Sequence, residues 1–230
     1  MARLDNFTDH TRINDILLGP LERPALKWLA AHSPAWMTPD HYTITGILGG
    51  FIILVGYILS NLHPGFFWLA TFGFFINWWG DSLDGTLARF RSIERPVYGF
   101  YVDHVTDAAM QVLIFTGLGF SPYVTFNVAS LALVGYLLLS VLVYVRTCLV
   151  GEFKISYGKL GPTEARALAV LLNTAMFFFG EQLWPLQAGI LGRLVLNPYD
   201  LAVGGVSLLL LYFFLTTATK EAIRLAREDR

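Results

Sequence analysis

Asp81 and Asp84 stand three residues apart and Asp103 and Asp107 four apart, spacings that put each pair on one face of a helix. The first pair lies in Trp79-Gly80-Asp81-Ser82-Leu83-Asp84-Gly85-Thr86-Leu87-Ala88-Arg89. The second follows in Gly99-Phe100-Tyr101-Val102-Asp103-His104-Val105-Thr106-Asp107. The connection is short, so the two helices are expected as antiparallel neighbours whose carboxylates converge. Like charges in a shared site repel, and in a membrane each carboxylate costs about 2.5–3.5 kcal/mol at a helix centre, less near the interface. One or two divalent cations would remove both problems. All-oxygen ligation suits Mg²⁺ or Mn²⁺, with Ca²⁺ also compatible, and no Cys/His set for zinc accompanies it.

The same cluster suits a diphosphate substrate, because metals can bridge phosphate oxygens and stabilise both the attacking and the leaving oxygen of an in-line displacement. Gly85 and Gly99 would let a phosphate approach the helix backbone. Arg89, one or two turns beyond Gly85 and Asp81, offers a fixed cation. A carboxylate not saturated by metal could take the proton of an acceptor hydroxyl.

The elements that must hold these residues are membrane helices. The chain is 55% hydrophobic and 14% charged, against about 25% charged in soluble domains, and apolar runs near the length needed to cross a bilayer recur. A large soluble core would leave too little polar surface. We read an all-α integral membrane protein with six transmembrane helices, near Tyr42–Leu62, Gly65–Arg89, Gly99–Phe120, Phe126–Val150, Glu164–Trp184 and Asp200–Lys220. An N-terminal amphipathic interfacial helix precedes them, in one or two pieces broken near Gly19-Pro20 and Pro24. The expected organisation is a juxtamembrane segment over 1–38, a catalytic six-helix domain over 39–220, and a cytoplasmic tail over 221–230.

Orientation follows from Lys and Arg. Of 16 such residues, only Arg193 falls on the far side of a six-span topology, which places both termini and the aspartates in the cytoplasm. The N-terminus lacks the apolar stretch of a cleavable signal peptide. The single cysteine, Cys148, excludes an intramolecular disulfide. A net charge of -1 gives no reason to expect nucleic acid as a partner.

The pattern Asp81-x-x-Asp84-Gly85-x-x-Ala88-Arg89, then Gly99-x-x-x-Asp103-x-x-x-Asp107, resembles the signature of the CDP-alcohol phosphatidyltransferase family. Upstream, Thr38-Pro39-Asp40-His41-Tyr42-Thr43-Ile44-Thr45-Gly46 resembles that family's opening of the first span, with Asp40 where Asn is usual. Tyr144-Val145-Arg146 and Glu164-Ala165-Arg166 resemble weaker family features. The resemblance implies a six-helix membrane fold, a homodimer and a site opening to the cytoplasm. It also implies that Asp81, Asp84 and Asp103 bind metal and diphosphate, and that Asp107 is the general base and a further metal contact. Gly85, Ala88 and Arg89 would line the CDP pocket, with Gly99 and Thr43 beside them, and CMP would leave.

His104 carries two readings: a second base, as in the Asp-His-x-x-Asp form of eukaryotic choline and ethanolamine phosphotransferases, or a hydrogen-bonded helix residue facing away from the metals. The second is preferred, since one residue beyond Asp103 it turns elsewhere. Arg146, Lys159, Glu164 and Arg166, together with His104, are candidates for holding the acceptor, the basic ones being otherwise positive-inside or lipid-headgroup residues. They make CDP-diacylglycerol with a small polar alcohol the first choice of substrates. A CDP-aminoalcohol with diacylglycerol is the second. An ion or proton transporter built on intramembrane acids would place them near the midplane of paired broken helices, a pattern not visible here.

Overall fold

The computed structural model describes residues 11–13, 17–150, 152–154, 161–180, 186–187 and 195–229. Among the described residues, seven helices make up the body: α1 (Gly19–Ala31), α2 (Pro39–Leu59), α3 (Phe66–Phe90), α4 (Pro96–Gly119), α5 (Phe126–Val150), α6 (Pro162–Phe179) and α7 (Pro198–Glu228). Two small pairings join their connections. β1 (Thr11–Ile13) runs parallel to β2 (Glu152–Lys154), and β3 (Leu186–Gln187) antiparallel to β4 (Val195–Leu196). These strands were not expected from the sequence, and they are two or three residues long.

Helix starts are written in the chain. Thr38 caps α2, its Oγ1 accepting from His41 N while His41 Nδ1 accepts from Thr38 N. Asn197 and Asp200 cap α7 reciprocally, and the second oxygen of Asp200 accepts Thr125 N at 2.7 Å, tying α7 to the α4–α5 connection. α3 ends in a Schellman turn, with Ile93 N bonded to Ala88 O and Ser92 N to Arg89 O; Ser92, at φ 54°, occupies the left-handed position usually given to glycine.

α2 shows how the bundle is oriented. Ile44, Leu48, Phe51, Val55 and Ile58 form an exposed apolar stripe, while Tyr42, Gly46, Gly49, Ile53 and Tyr57 form a buried one. Apolar residues on the outside are what lipid selects. α2, α5 and α7 are long and apolar enough to cross a membrane. Glycines bring α2 and α3 into backbone contact: a Cβ on Gly80 would lie 2.3 Å from Gly46 N, and one on Gly49 would lie 2.4 Å from Asn77 N. Around this pair, α4 packs on α2, α6 and α1 on α3, α5 on α4, and α7 on α5. Gly204 and Gly205 on α7 make no such approach: a Cβ on Gly204 would come no closer than 3.9 Å, to Val128 Cγ1, and one on Gly205 would meet nothing within 4 Å.

Two boundaries differ from the sequence reading. α1 is one helix that runs through Pro24. Pro24 is past the first turn, so the helix continues through it at the loss of one intrahelical bond, the one its amide would make to Pro20 O. α7 continues past residue 220 to Glu228, because Glu221 pairs with Arg146 of α5 at 2.9 Å and holds that end in place.

Candidate active site

Asp81 and Asp84 of α3 and Asp107 of α4 line a cleft with Thr43, Gly46, Asn77 and Thr106, and Asp103 of α4 stands beside Asp81 and Asp107. Asp81, Asp103 and Asp107 each offer a carboxylate oxygen, all three within 4.8 Å of one another. Among the described residues, this is the grouping able to hold a metal ion, and its all-carboxylate donors suit a hard divalent cation. Asp84 lines the same cleft but stands outside the trio. Its Oδ2 accepts the Thr43 hydroxyl at 2.8 Å and its Oδ1 faces the Gly85 amide.

A cation from a third helix completes the cluster. Arg166 of α6 donates from Nη2 to Asp81 Oδ2 at 2.7 Å and from Nε to Asn77 Oδ1 at 3.0 Å. This guanidinium offsets part of the negative charge gathered there. Arg89, at the exposed end of α3, folds back so that a Cβ on Gly85 would lie 3.3 Å from its Nη1. Ala88 is half-buried beside it, and Gly99 is exposed at the start of α4 with nothing within 4 Å of an added Cβ.

The other sequence candidates separate. His104 is buried; its Nδ1 pairs with Phe100 O at 2.7 Å and lies 3.7 Å from Asp103 Oδ2, and its ring stacks on Phe100. Glu164 caps α6 by accepting Gly161 N at 2.9 Å and takes Leu18 N at 2.8 Å, fastening the entry of α1. Arg146 pairs with Glu221, which also holds Arg224. Lys159 lies outside the described residues.

Two residues escaped the sequence reading. Asn77 joins α2 and α6 beneath Asp81. Glu22 of α1 accepts from Trp78 Nε1 at 2.7 Å and Thr163 Oγ1 at 2.9 Å, tying α1 to α3 and α6. Neither belongs to a spaced pair of like residues, the signal that exposes the aspartates.

The CDP-alcohol phosphatidyltransferase family matches residues 36–218. The chain belongs to that family. The match takes in α2 to α6 and most of α7, including every aspartate of the cleft, and leaves α1 outside. This CDP-alcohol phosphatidyltransferase family member is also 26% identical over 188 residues to cholinephosphotransferase 1 of Gallus gallus, across 76% of the present chain and 54% of that protein. It thus spans about half the length of the curated relative it matches.

Proposed function

We propose that this protein transfers a substituted phosphate from a CDP-linked donor to the hydroxyl of an alcohol, releasing CMP. The observation that carries the reading is the convergence of Asp81, Asp103 and Asp107 from two helices onto one point, with Arg166 on the same cluster. A divalent metal, Mg²⁺ or Mn²⁺, held by these carboxylates with Asp84 beside them would neutralise charge on the diphosphate and its leaving group. Arg89, Gly85 and Gly99 border the donor, with Thr43 holding Asp84 in place. Asp107 accepts the proton of the attacking hydroxyl on a carboxylate oxygen. The hydroxyl oxygen forms its bond to the phosphorus bearing the transferred group, and the bond from that phosphorus to CMP breaks.

One substrate is a lipid in either pairing considered. An open apolar groove of about 310 Å³, lined by Phe74, Phe75, Trp78 and Val170, has Arg166 on its wall and suits an acyl chain. We place a CDP-aminoalcohol donor with a lipid alcohol acceptor first. It is supported by the name of the avian relative, and by the engagement of Arg146 and Arg166 with acids instead of an open anion pocket. CDP-diacylglycerol with a small polar alcohol is the second reading, supported by the closeness of Arg166 to the carboxylates. The reading includes six transmembrane spans with α1 in the interface, cytoplasmic termini and site, and a homodimer, the last resting on the family alone.

The test is CMP release by purified protein in lipid with Mg²⁺ or Mn²⁺. CDP-choline and CDP-ethanolamine are offered with diacylglycerol, and CDP-diacylglycerol with a panel of alcohols. Acceptor-dependent CMP identifies the pair. Failure of folded protein to bind any CDP compound overturns the reading.

A further inference from the structure

Asn77 lies on α3, four residues before Asp81, and is 3% exposed. A primary amide so deeply buried is costly unless both its ends are bonded. Nδ2 donates to Gly46 O of α2 at 3.1 Å, and Oδ1 accepts from Arg166 Nε of α6 at 3.0 Å. Chemistry fixes the amide's orientation, since a carbonyl oxygen only accepts and a guanidinium only donates. Its backbone is pinned as well, because Gly49 lets α2 come against Asn77 N.

The guanidinium is a rigid planar fork. Its Nε and Nη2 point from one edge, and that edge spans Asn77 Oδ1 and Asp81 Oδ2, which lie one helical turn apart on α3. With Asn77 in place, both prongs have fixed targets and the plane of Arg166 is set. Without it, the fork can turn about its stem, and the Asp81 carboxylate loses the donor that orients it.

We infer that Asn77 is a positioning residue: through Arg166 it sets the orientation of the Asp81 carboxylate toward the oxygens of Asp103 and Asp107. The inference rests on the reading of these three carboxylates as a metal site. Partners behind a metal ligand typically change metal affinity by about 10–100-fold when removed.

The experiment is Mn²⁺ binding to the full chain in lipid nanodiscs, followed by the electron paramagnetic resonance signal of free Mn²⁺, without donor or acceptor. Asn77→Leu keeps volume and loses both bonds, and Arg166→Lys keeps the charge and loses the fork. Asn173→Leu is the control for buried amides: Asn173, 1% exposed on α6, bonds Tyr57 and Thr71. The expected result is Mn²⁺ affinity lower by about 10–100-fold in Asn77→Leu and by about tenfold in Arg166→Lys, with Asn173→Leu unchanged. Arg166→Lys decides the matter if Asn77→Leu does not fold. Wild-type affinity in both site variants, or an equal loss in the control, overturns the inference alone. A wild-type protein that binds no Mn²⁺ overturns the metal site and the inference with it.

Discussion

Thr43 of α2 donates its hydroxyl to Asp84 Oδ2 of α3 at 2.8 Å, while the other oxygen of Asp84 turns back onto the Gly85 amide. Asp84 is therefore oriented from a neighbouring helix, and it stands apart from the three carboxylates that approach one another. Two aspartates one turn apart on one helix thus receive different environments: Asp81 a cation from α6, Asp84 a hydroxyl from α2.

Thr43→Val keeps the shape of the side chain and deletes that bond. A hydrogen bond to a charged group contributes about 1.5–3 kcal/mol, so kcat/KM for the CDP donor should fall by roughly 10–100-fold. The melting temperature should fall as well, since the same bond is lost from the folded state. Steady-state CMP release checks this, and an unaltered kcat/KM would remove the Thr43–Asp84 contact from the donor site.

Asp107→Asn removes the proposed proton acceptor and leaves the side chain isosteric. We expect kcat to drop by about 10²–10⁴-fold, with CDP-donor binding still measurable by equilibrium titration. Activity near the wild-type level would transfer the role to another group.

The glycines of the site divide by what surrounds them. Alanine at Gly80 would place a Cβ 2.3 Å from Gly46 N and 2.5 Å from Tyr42 O, and neither backbone can yield without parting α2 from α3. Destabilisation of about 1–3 kcal/mol or more should appear in denaturation. At Gly99 an added methyl meets nothing within 4 Å, so Gly99→Ala should fold as well as wild type while raising the donor KM. A donor KM that does not move would take Gly99 out of the pocket.

Arg146 and Glu221 are both largely covered and pair at 2.9 Å across α5 and α7. Glu221→Gln should destabilise the protein by about 1.5–3 kcal/mol and leave the acceptor KM where it was. Acceptor KM and denaturation midpoint are measured together; a raised KM at unchanged stability would give Arg146 back to the substrate.

Much of this molecule could be read from local pattern. The helix limits follow apolar runs and capping residues such as Thr38 and Asn197, whose effects reach only three or four positions along the chain. The pairing of Asp81 with Asp84, and of Asp103 with Asp107, is a property of the helical repeat itself. Spacing alone pointed to metal and phosphate chemistry, while the CDP-linked reaction came from the resemblance of the whole aspartate motif to a known family.

Rotation and depth of one helix against another decided the rest. Whether Asp84 joins Asp81 in the trio depends on how α3 is turned toward α4, and Thr43 reaches it only because Gly46, Gly49 and Gly80 let α2 and α3 touch. Arg166 meets Asp81, and Arg146 meets Glu221, across separations that no local periodicity constrains. Asn77 could not be singled out from its neighbours. A lone amide shows its purpose only when packing brings a carbonyl to one end and a guanidinium to the other. Contacts of that kind are set by the summed fit of side chains between helices, which is a property of the assembled bundle and not of any one segment.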